Sequence, residues 1–194
     1  MKIRTIAIGL VIDPIDFNDN CCGINRKLSE AKLSLDVVCL ALTDGTGHEV
    51  QTMRVYTNSF EEWLLPLLSP PFAYTLEKAV GLIDSALTTA GIQMCSIGHC
   101  ETYEAISLVP KILAASSLLS CSVLFSKCDS MDICPNYEKC VAAASACLEL
   151  ARTCGDLGNF RFCSSFNCQE GTPFFPAAFR TRKGDTSDAS PMLT

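Results

Sequence analysis

The order of apolar and amphipathic segments in this sequence predicts an α/β fold with a mainly parallel sheet. Three observations carry that expectation. Residues 3–12 form a nearly continuous apolar run, as a strand covered on both faces requires. Short runs of this kind alternate along the chain with helical patterns long enough to serve as crossovers. Glycine and proline punctuate the joins, and such crossovers are right-handed.

The elements follow in order. After the first strand, residues 13–20 are rich in Asp, Asn and Pro and read as a loop. Asn20 is placed to cap a helix over about 21–42, with Ile24, Leu28, Ala31, Leu35, Val38 and Leu42 on one stripe, stopped by Asp44-Gly45-Thr46-Gly47. Residues 50–56 alternate as a second strand, with Thr52, Arg54, Tyr56 and Asn58 on one face and Met53 and Val55 on the other. Ser59 and Glu62 fit a capping box for a short helix limited by Pro66, and Pro70-Pro71 marks a break. A helix over about 72–90 ends at Gly91. Residues 92–97 form a third strand closed by Gly98-His99-Cys100. A helix over about 102–119 carries Pro110, a fourth strand covers 121–125, and a helix over about 136–153 is stopped by Gly155 and Gly158. Cys140, Cys147 and Cys154 recur every seventh residue on that helix, so they share a stripe facing the sheet.

Composition bounds the function. The chain has 194 residues, 48% hydrophobic and 19% charged, enough for one sizeable core. A net charge of −6 argues against a nucleic-acid or anionic-membrane surface. Lys2 and Arg4 precede the apolar run and mimic a signal peptide, but Asp13-Pro14-Ile15-Asp16 ends it without a small-residue cleavage pattern, so a cytoplasmic location is expected. No segment is apolar for the ~18 residues a membrane span needs. Thirteen cysteines make the chain cysteine-rich without any CxxC pair, which favours buried thiols over disulfides or a metal cradle. Cys95, His99 and Cys100 do not match a ligand spacing, and no metal site is expected.

The fifth strand, 159–167, is the most informative stretch. Read with a period of two, Phe160, Phe162 and Phe166 form a packing face. Asn159, Arg161, Cys163, Ser165 and Asn167 form a row of hydrogen-bonding groups with one fixed charge. The following Pro- and Phe-rich segment, from Gly171 through Phe179, is stiff and apolar, a plug more than a lid.

Lys2-Ile3-Arg4-Thr5-Ile6, His48-Glu49-Val50-Gln51-Thr52-Met53-Arg54, Gly158-Asn159-Phe160-Arg161-Phe162 and Gly171-Thr172-Pro173-Phe174-Phe175-Pro176-Ala177-Ala178 resemble, in order and spacing, the domain of unknown function 711 family. That resemblance implies a β/α barrel like that of pyruvate formate-lyase, without the glycyl radical chemistry. It covers only the family's N-terminal half and departs after Phe179. The expected organisation is therefore a partial β/α barrel over 1–179 and a polar, disordered tail over 180–194, as a truncated form would have.

Two chemistries suit these residues. In the first, Arg54 and Arg161, with Thr52, Asn159 and Asn167, bind a small anionic metabolite at the strand ends, since guanidinium groups take carboxylate or phosphate in bidentate fashion. Structural pairing of both arginines is the plain alternative. In the second, Cys163, or Cys100 beside His99, is a catalytic nucleophile, which needs a lowered thiol pKa. The residues leave open an enzyme, a non-catalytic metabolite-binding or regulatory protein, and an inactive truncated form. They name no cofactor. An open sheet edge would favour self-association.

Overall fold

The computed structural model describes residues 2–126, 136–166, 168–172, 174–181 and 191–193. Five strands alternate with helices: β1 (Ile3–Leu10), α1 (Asn18–Thr46), β2 (Val50–Thr57), α2 (Leu64–Leu67), α3 (Leu76–Ala90), β3 (Met94–Cys100), α4 (Tyr103–Ala115), β4 (Leu119–Ser126), α5 (Tyr137–Cys154) and β5 (Phe162–Phe166). A short sixth strand, β6 (Pro191–Leu193), lies antiparallel on β1. The sheet order is β5-β4-β3-β2-β1-β6, and β1 to β5 are parallel. The five parallel strands curl into a half-barrel with the expected α/β alternation.

One core fills the space between the sheet's convex face and the helices. Ile6 and Ile8 of β1, Val55 of β2, Cys95 and Ile97 of β3, and Cys121 and Val123 of β4 point into it. Ile24, Leu28 and Leu35 of α1 and Ile83 and Leu87 of α3 meet them. The α1 stripe read from the sequence is the buried one, and the thiols of Cys95, Cys100 and Cys121 are part of this core. Cys147 and Cys154 pack at its margin.

The boundaries differ from the sequence reading where local turns compete with periodicity. Asp19, Asn20 and Cys21 take left-handed backbone angles, so Asn20 is not an N-cap and the regular part of α1 begins after them. Helix α3 starts at Leu76 because residues 69–74 are taken up by a turn, with Tyr74 N bonded to Leu67 O, and Thr75 caps the helix through Lys78 N. His99 and Cys100 belong to β3 itself rather than to a loop after it. The fifth strand begins at Phe162, not at 159, because residues Asp156–Arg161 form a 3-10 turn. The period-two face drawn through Phe160 therefore fails, and that ring is 78% exposed. Phe162 is buried, and Phe166 stacks on Phe125 at 4.9 Å. The expected tail falls mostly on residues outside the described ones.

Candidate functional site

Alternation along the strands sends a second set of side chains to the concave face, and this set is mostly polar. It comprises Thr5 and Ala7 of β1, Thr52, Arg54 and Tyr56 of β2, Ser96 and His99 of β3, Ser120 and Ser122 of β4, and Cys163 and Ser165 of β5. The segment after Gly171 lies across this face. Ser96 Oγ bonds the carbonyls of Pro176 (2.9 Å) and Ala178 (2.8 Å), and Ala178 packs with Ala7 and Tyr56. Phe179 meets the His99 ring edge-on at 4.5 Å. The segment closes on itself through Gly171 N to Phe179 O (3.1 Å), and Arg180 N bonds Thr57 O (3.0 Å). Gly9 is required beneath it, because a Cβ there would stand 2.5 Å from the Tyr56 ring.

Arg54 is half-buried on this face. Its guanidinium lies under Phe175, 4.8 Å from the ring centroid. Its Nε is buried without a hydrogen-bond partner, and no acid pairs with it among the described residues. Burial, with nearby Arg4 as the smaller cause, pulls its pKa below the usual guanidinium value. Thr52, two residues earlier, is bonded to Thr5 Oγ1 at 2.8 Å and to the Arg4 carbonyl at 3.0 Å.

At the carboxyl ends of β2 and β3 the backbone is tied tightly. Asn58 joins Ile12 through both its amide groups, at 2.8 and 3.1 Å, and donates to Glu62 at 2.8 Å. Ser59 Oγ donates to His99 O at 2.6 Å. Gly98, at φ +78°, allows the approach, since a Cβ there would meet Asn58 O at 2.6 Å. Thr102 Oγ1 caps α4 by accepting from Ala105 N, and Glu61 holds that cap in place by accepting from Glu101 N, Thr102 N and Thr102 Oγ1. His99 Nε2 stands 3.2 Å from Glu101 Oε1.

The remaining candidates are scattered. Arg161 lies in the 3-10 turn before β5 and bonds backbone carbonyls: Ser116, Leu119 at 3.3 Å and Leu113 at 2.8 Å. This ties the end of α4 to the start of β4, so the two arginines sit apart, with β3 and β4 between their strands. Asn159 is exposed in the same turn, and Asn167 lies outside the described residues. Cys100 points away from His99 into the helix-side core, its Sγ on Ser122 O at 3.4 Å, and burial raises its pKa far above the ordinary thiol value. Cys163 is pushed up to about 11, by burial first. Both thiols are thus held neutral at pH 7, the reverse of what a nucleophile needs. Among the described residues no group of three or more His, Cys, Asp or Glu is placed to hold a metal ion.

The family model of uncharacterised proteins named Uncharacterised ACR (DUF711) matches residues 1–189. The chain belongs to this family. The DUF711 match spans β1 through the segment over the concave face, so every group described above lies within it. No curated protein matches the chain. The serines Ser96, Ser120 and Ser122 were not singled out in the sequence. Their signal was there, as single hydroxyl residues alternating with apolar ones in Met94–Cys100 and Leu119–Ser126. Among the described residues no helix is long and apolar enough to cross a membrane.

Proposed function

We infer that the protein binds a small anion, a carboxylate or phosphate, on its concave face at Arg54. One observation carries this reading: a half-buried guanidinium that has an unbonded Nε, a second arginine nearby and, among the described residues, no acid to neutralise it. Burying an uncompensated charge is costly, and a bidentate oxyanion removes that cost. Phe175 covers one face of the guanidinium and leaves its edge as the direction of approach. Arg161 is left out of the site, because carbonyls already satisfy it. The neutral thiols favour a binding or non-thiol role over cysteine catalysis.

The test is calorimetric titration with inorganic phosphate and with succinate, on wild type, Arg54→Met and Arg161→Met. Binding lost in Arg54→Met and kept in folded Arg161→Met supports the reading. Binding unchanged in Arg54→Met, or no heat with either anion, overturns it.

A further inference from the structure

A second set of groups lies farther along the concave face than Arg54, level with the carboxyl end of β3. Register pairs His99 of β3 with Ser122 of β4, and Ser122 with Cys163 of β5. Their chain neighbours Cys100, Cys121, Val123 and Phe162 all point into the helix-side core, so the three side chains share the concave face. Adjacent parallel strands stand about 5 Å apart, so Ser122 and His99 are neighbours across the β3–β4 pair, with no hydrogen bond joining the Ser122 hydroxyl to the imidazole. Glu101 holds that imidazole from the other side through Nε2. The Ser122 Oγ is fully buried and has no hydrogen-bond partner, although it sits among bonded serines such as Ser96 and Ser120. A buried hydroxyl without a partner is uncommon enough to need a cause.

We propose that Ser122, with His99 as its base and Glu101 orienting the base, is an acyl- or phosphoryl-accepting nucleophile beside the carboxyl end of β3, acting on small ester-like substrates. The order carboxylate, imidazole, hydroxyl is what activates a serine, since the base must stand next to the nucleophile and be oriented by a third group. Carboxyl ends of parallel strands are where β/α folds gather reacting groups. In the step, Ser122 Oγ forms a bond to the electrophilic carbon or phosphorus, its proton passes to His99, and the leaving group departs with the electron pair of the broken bond. Phe179, edge-on to His99, covers the row and must withdraw for the substrate to enter. The inference is separate from the anion at Arg54, which uses neither Ser122 nor His99.

Diisopropyl fluorophosphate tests it, with the adduct located by peptide mass spectrometry. Here the electrophile is phosphorus and the leaving group is fluoride. Phe179→Leu and Phe179→Ala open the cover by different amounts, so one of them serves if the other fails to fold, and a cooperative melt identifies usable protein. The expected result is an adduct on Ser122 that forms faster in an opened variant than in wild type. In that opened background it falls at least tenfold with His99→Asn and several-fold with Glu101→Gln. An adduct on Ser122 that forms equally fast with His99→Asn overturns the proposal, as does its absence from every folded protein. The second result leaves Ser122 as a structural hydroxyl.

Discussion

Arg54 and Arg161 look alike in sequence, each an arginine among small polar residues, and end in opposite circumstances. Arg161 falls on a 3-10 turn and meets three carbonyls at the close of α4, where a cation also suits the helix dipole. Arg54 stays on its strand with a ring over it and no acid paired with it among the described residues. Period-two reasoning saw the polar row but not the turn that removes Arg161 from it, because a 3-10 turn leaves no apolar period. Arg161→Met should lower unfolding free energy by about 2 kcal/mol in urea titration, since charge-assisted bonds contribute roughly 1.5–3 kcal/mol each and water replaces part of them. A loss under about 0.5 kcal/mol would mean that the carbonyl ties are not stabilising. Gly9→Ala belongs to the same scale. With Tyr56 2.5 Å from the new Cβ, overpacking should cost about 1–3 kcal/mol.

Among the elements, the stretches that the sequence showed best were those with buried stripes. The α1 stripe from Ile24 to Leu35 and the apolar β1 run lie where periodicity put them, because burial and period are the same constraint there. What was missed is cross-element bonding. Glu61 supports the Thr102 cap of α4 from forty residues away, accepting two backbone N–H groups and the Thr102 hydroxyl, and no local pattern announces that. Glu61→Ala should therefore destabilise by about 1–2 kcal/mol, as loss of a helix cap does, and should raise amide hydrogen exchange first at Thr102 and Ala105. Unchanged exchange at those amides would show that Thr102 caps the helix alone. The Asp84 carboxyl, on α3, links to the α4–β4 junction through Ser116 Oγ at 2.6 Å. Burial raises its pKa above 3.8, so the folded state holds that proton more tightly than the unfolded chain. Its contribution to stability is greatest at low pH and falls as pH rises from 3.8 through the folded value. Asp84→Asn should flatten that part of the stability–pH curve, and a curve of unchanged slope would place the titration elsewhere.

For the whole molecule, the alternation of strands and helices was enough to give the parallel sheet, while the order of groups on its concave face needed register, which no period supplies. The sheet's two sides also end differently. The outer edge of β1 carries β6, whereas β5 pairs only with β4 among the described residues. Along this free edge Ser164 is exposed and Phe166 is half exposed, with Phe160 exposed just before it. Unpaired backbone groups beside apolar rings form a template for another strand. We predict concentration-dependent self-association through β5, read as a rising mass by light scattering on a size-exclusion column. Ser164→Pro interrupts the edge strand, and Phe166→Lys sets a charge beside it, so each should return the mass toward the monomer. If the mass is independent of concentration in wild type, the β5 edge is not a pairing surface. If association persists in both variants, the exposed stripe of Leu33, Val37 and Leu40 on α1 becomes the face to substitute next.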